Sequence, residues 1–170
     1  GMVFFYFKLR LYDEIKDYEV DLEFNPERPL ARGLLVHRDL YMGIGLCITF
    51  ELFAFGISGV PGLVGGIAAI VYSLCMYKEF FIPNLIRPLL TTYAMSHTIV
   101  TGLFSIALLA ALSQTMPWDL PVEAYYFALA NWGLFNVFEF SRKTFASSEE
   151  REGVESYSLV WGRYGAVALV

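Results

Sequence analysis

Three aspartates, Asp13, Asp17 and Asp21, recur at four-residue spacing within the stretch LRLYDEIKDYEVDLEFNPERPLARG at 9–33. Residues i and i+4 stack on one face of a helix, so this spacing predicts a stripe of carboxylates. Like charges that close cost a bare helix a few tenths of a kcal/mol per pair, and the stripe makes physical sense when a cation lies against it. Magnesium suits the position, because it takes oxygen ligands, keeps several waters and is typically held by one or two carboxylates plus substrate phosphates. Arg28 and Arg32 follow on a loop opened by Pro26 and Pro29. Guanidinium grips phosphate oxygens in pairs. Carboxylates, metal and arginines together describe a cradle for a diphosphate. The plain alternative is a solvated, charged loop.

A second polar segment, SRKTFASSEEREGVESYS at 141–158, carries Glu149, Glu150 and Glu152, with Glu139, Arg142 and Lys143 at its start. Its acids are irregularly spaced, and alone it reads as a solvated loop. Its value lies in position. Two acidic segments on one membrane face would clamp a dimetal diphosphate from opposite sides, and Lys78, at the end of an apolar run on that face, has the reach to join them. Snorkelling to the headgroups is the simpler explanation of Lys78.

The elements that must position these groups are membrane helices. Hydrophobic residues make up 56% of the chain and charged residues 17%, against about a quarter charged in soluble domains. Apolar stretches at 40–59, 63–81, 89–112 and 122–140 each approach the roughly 20 residues that cross a hydrocarbon core of about 30 Å. Shorter apolar runs open and close the chain, which predicts partial helices at both ends. The fold expected is therefore all-α: one transmembrane helical bundle over 1–170, with four complete spans, incomplete at both ends. Cys47 and Cys75 lie in apolar runs and read as small core residues. The net charge of −5 and the lack of a basic stripe argue against a nucleic-acid partner.

Positive charge tests this topology independently. All twelve Lys and Arg residues fall in segments separated by pairs of spans, and the turn near Val60 and the loop at 113–121 hold none. By the positive-inside rule the loaded side, with both polar segments, faces the cytoplasm.

DEIKDYEVD at 13–21, followed by ERPLARG at 27–33, resembles the first aspartate motif of the UbiA superfamily of intramembrane prenyltransferases, NDxxDxxxD with an ArgPro element after it. GVESYS at 153–158 and WGR at 161–163 resemble the sequence after that family's second motif. Members have nine transmembrane helices, with the first motif after the second and another acidic motif after the sixth, so the chain is expected to run from the end of helix 2 to the start of helix 7. The resemblance implies a prenyltransferase that moves a prenyl group from a polyprenyl diphosphate to a hydrophobic acceptor, an aromatic one being the leading expectation. It implies that Asp13, Asp17 and Asp21 help bind magnesium and diphosphate. Arg28, of the ArgPro element, with Arg142 or Lys143 would neutralise the leaving group, and Arg32, near the end of ERPLARG, is a further diphosphate-binding candidate. Two departures stand out: Asp13 and Glu14 replace the opening AsnAsp, and Glu139, Glu149, Glu150 and Glu152 are the acids available where many members show aspartates.

Ionising an allylic diphosphate leaves a cation, which aromatic faces shelter; Phe53, Phe55, Tyr72, Tyr125, Tyr126 and Trp132 are candidate walls, although packing is the commoner use of such residues. Glu51 and His97 lie inside spans, at a depth where a functional role is the default. They are read as a mutual contact, an acceptor-side base, or a polar pair joining two helices. A transporter using them as an ion path is the main competitor; it leaves the aspartate ladder without a task. A CDP-lipid transferase lacks its DGxxAR opening here, and a family member without catalysis is the remaining alternative.

Overall fold

In a computed structural model, residues 1–150 and 155–170 are described. They form eight α-helices among the described residues: α1 Met2–Lys16, α2 Tyr18–Phe24, α3 His37–Ile57, α4 Val60–Tyr77, the short α5 Pro83–Ile86, α6 Leu90–Ser113, α7 Val122–Arg142 and α8 Tyr157–Ala168. The all-helical class matches the expectation. Among the described residues, α3, α4 and α6 are the helices long and apolar enough to cross a membrane. Three helices rather than the expected four meet that measure, because α7, at 21 residues, carries Glu123, Asn131, Asn136, Glu139 and Arg142 along its length.

Helix boundaries follow from turn chemistry. The expected turn at 60–62 is instead the first turn of α4, where Pro61 has no helical hydrogen bond to forfeit. The break sits one step earlier, at Gly59, whose φ of +89° suits a residue without Cβ. The Asp39 carboxylate starts α3 by accepting the Val36 N–H at 3.0 Å. After α4 the chain turns through Glu79, Phe80 and Phe81, all with positive φ (51°, 53° and 61°). Three successive non-glycine residues in this region cost about 1–2 kcal/mol each, so surrounding contacts must hold the turn.

Neighbouring helices pack in the order α1, α3, α4, α6, α7, with α8 against α7. Small residues set the closest approach: a Cβ on Gly65 would lie 2.8 Å from the Ala107 Cα, and one on Gly66 would lie 2.4 Å from the Phe55 ring. Glycine interfaces of this kind let helices pack where lipid gives no hydrophobic drive. The core joins Phe5, Tyr12, Phe55, Val100, Phe104 and Ala107. α1 meets α6 and α7 through rings, Phe5 stacking on Phe104 at 4.2 Å and Tyr6 on Phe135 at 5.9 Å between centroids.

Candidate functional site: a charged cavity between α1, α6 and α7

Where those rings separate the helices, a cavity of about 530 Å³ opens. α1 places Asp13 and Lys16 on its wall, with Asp17 at the helix end; Arg28 follows from the next loop, and α7 adds Glu139 and Arg142, with Lys143 just beyond. Groups more than 120 residues apart in the chain (Asp17 and Glu139, for example) therefore share one opening. Tyr6, Leu9, Val100 and Phe135 give the same cavity an apolar wall.

The ladder expected over 13–21 is kinked. α1 ends at Lys16 and α2 begins at Tyr18, with Asp17 between them. The four-residue rhythm survives in the backbone, since the Asp17 N–H donates to the Asp13 carbonyl and the Asp21 N–H to the Asp17 carbonyl, both at 2.8 Å. Only the first two carboxylates line the cavity. Asp21 is buried and accepts from Arg28 Nη1 at 2.7 Å and Asn25 Nδ2 at 2.9 Å. Arg28 also lies 3.8 Å from Asp17.

Electrostatics set Asp13 and Asp17 apart from ordinary surface acids. Enclosure by protein, then the neighbouring Asp17 charge, raises the Asp13 pKa above its usual value. Asp17, with its side chain half open to solvent, is raised likewise by the protein packed around it and by the Asp21 charge, against Arg28 and other cations. Such a pair is stabilised by a divalent cation. Across the cavity, Glu139 accepts from Arg142 Nε at 2.6 Å and lies 3.2 Å from Lys143 Nζ.

The other sequence candidates lie elsewhere. Glu149 closes its own loop by accepting the Ala146 N–H at 3.3 Å, and Glu150 accepts from Ser156 at 2.7 Å. Glu152 falls outside the described residues. Arg32 lies 3.9 Å from Glu27, and Lys78 rests over the Tyr77 ring. Neither is on the cavity wall. Glu51 and His97 do not meet: Glu51 pairs with Lys8 at 2.6 Å, while His97 lines the cavity beside Lys16. Of the candidate aromatics, Phe55 is buried in the core and Phe53 is exposed. Tyr72, Tyr125 and Trp132 donate to Ser96, Pro117 and Thr98. The rings lining the cavity are instead Tyr6, Tyr93, Phe135 and Phe138.

Lys16 is the residue that motif reasoning passed over. Its ammonium has three N–H donors and three acceptors near them: the Tyr93 hydroxyl at 2.5 Å, His97 Nε2 at 3.3 Å and Glu79 Oε1 at 3.4 Å. His97 Nδ1 sits 2.7 Å from the Tyr93 carbonyl, which only accepts, so the proton is on Nδ1 and Nε2 offers its lone pair to Lys16. The signal was available, since Lys16 is three residues from Asp13 and shares its helix face.

Among the described residues no group of three or more His, Cys, Asp or Glu side chains is gathered closely enough to hold a metal ion. Asp13 and Asp17, both on the cavity wall, are the two carboxylates that could contribute to a magnesium shell otherwise made of water and phosphate oxygens. Compared with known protein families, curated proteins and solved structures, the chain matches none.

Proposed function

We propose that the cavity binds a polyprenyl diphosphate as its magnesium complex, and that the chain is part of an integral membrane prenyltransferase related to the UbiA superfamily. One observation carries this reading: acids and cations from α1 and α7 sit at a single opening whose inner wall is aromatic and aliphatic. A molecule that satisfies both halves has a polyanionic head and a long apolar tail.

Asp13 and Asp17 would hold the metal, which when bound neutralises charge on the departing diphosphate. Arg28, Arg142 and Lys143 donate to diphosphate oxygens and stabilise the charge that develops as the allylic carbon–oxygen bond breaks. Glu139 keeps the two α7 cations in place until the anion arrives. Tyr6, Phe135 and Phe138 exclude water from the cationic carbon and present ring faces to it. A hydrophobic acceptor entering along the apolar wall would attack that carbon.

The membrane setting extends to α7 in this reading. Its two asparagines turn to α6 rather than to lipid: Thr98 donates to Asn136 at 2.8 Å and Asn131 to Ser105 at 2.8 Å. Interhelical bonds of this kind let a helix with polar residues cross a bilayer, so α7 is the fourth span. The positive-inside rule then puts the cavity mouth at the cytoplasmic face. An ion path through Glu51 and His97 loses support, because each is engaged by a different lysine.

The test is incubation of membranes bearing the protein with labelled prenyl diphosphates of several lengths, followed by mass analysis of the lipids. A magnesium-dependent prenylated product is expected. Its absence at every length would sink the proposal.

A further inference from the structure

Lys16 belongs to two environments at once. It lines the cavity, and it faces Glu79 in the turn with three positive φ values. Two of its partners, the Tyr93 hydroxyl and the neutral His97 Nε2, carry no charge. Among the described residues Glu79 is the one anion within ion-pair distance of it, and a long one at 3.4 Å, while Asp13 and Asp17 act on it from farther off. Glu79 has a closer cation of its own, since Arg87 Nε donates to its other oxygen at 2.8 Å. The carboxylate can therefore release Lys16 and stay neutralised, whereas Lys16 can release the carboxylate only in favour of another anion.

We propose that Lys16 is a further anion-binding residue of the cavity and that Glu79 is the internal carboxylate a phosphate group must displace from it. The inference rests on reading the cavity as a diphosphate site. A phosphate group offers more charge and more acceptor oxygens than a carboxylate, so the exchange favours the incoming ligand. Tyr93 and His97 keep the ammonium on the wall during the exchange, and both belong to α6. The part left to move is the strained turn at Glu79–Phe81, which loses one of the two ion pairs of Glu79. Binding and turn conformation are then linked.

Magnesium pyrophosphate binding to the purified protein in lipid nanodiscs tests this, with thermal stability measured on every variant. Lys16→Met is expected to weaken binding by about tenfold, with Lys16→Arg restoring most of it. Glu79→Gln removes the competitor and is expected to tighten binding by about threefold to fivefold. Arg87→Met leaves Glu79 with Lys16 alone, and weaker binding is expected. These opposite signs are not what a structural brace gives. If Glu79→Gln weakens binding or leaves it unchanged while the variant is still folded at the assay temperature, or if Arg87→Met tightens it, the exchange is overturned while the cavity reading stands. If the wild-type protein binds no magnesium pyrophosphate, the cavity reading falls and the inference falls with it.

Discussion

Lys8 Nζ lies 2.6 Å from Glu51 Oε2, and neither side chain has any exposed surface. The pair joins α1 to α3, and the ammonium also sits 4.6 Å from the centre of the Phe5 ring. Breaking a buried pair by removing one partner leaves an uncompensated charge, at a cost of about 3–5 kcal/mol, whereas replacing both by apolar residues is often neutral. Lys8→Met and Glu51→Gln should each lower the thermal unfolding temperature in detergent, and Lys8→Met with Glu51→Leu should recover most of the loss. Equal losses in the double and single variants would contradict this.

The α4–α6 contact gives a second stability prediction. Since a Cβ at Gly65 would meet the Ala107 backbone at 2.8 Å, Gly65→Val has no flexible neighbour to push aside. Overpacking typically costs about 1–3 kcal/mol. Thermal unfolding should report that loss, and Gly45→Val, at a site with nothing within 4 Å, should not.

Acid should weaken the turn that Glu79 anchors. Burial alone would raise the Glu79 pKa, but the Arg87 hydrogen bond and the Lys16 charge outweigh it, and the net value lies below the usual 4.5. A depressed folded pKa gives stability that is present above the unfolded value and is lost as pH falls through the folded one. The stability difference between wild type and Glu79→Gln should be level above about pH 4.5 and shrink below it. A difference that grows on acidification would reverse the sign.

How much was legible in the chain depended on the range of the contact. The aspartate ladder was readable because its geometry is local, one helical turn per step, and the kink at Asp17 barely disturbs it. Three helices long and apolar enough to cross a membrane were readable from apolar length; α7 falls short of that measure, and its polar residues find partners on α6 that are 26 and 38 residues away. Glu51 could not be assigned to Lys8, 43 residues distant, because sequence gives depth in the bilayer but not rotation about the helix axis. The same limit misplaced the aromatics: Trp132 and Phe135 are neighbours on α7, yet only Phe135 reaches the cavity. A proline between two apolar runs suits a turn and a first helical turn equally, so local sequence does not separate the two at Pro61.

The most direct test of the proposed chemistry is magnesium-dependent release of pyrophosphate from a labelled allylic diphosphate by membranes carrying wild-type protein, Asp17→Ala or Arg142→Ala. Release by the wild type, with a loss of roughly a hundredfold or more in each variant although they alter opposite walls of the cavity, is the predicted result. Release that is unchanged in Asp17→Ala would contradict a diphosphate site built by α1 and α7.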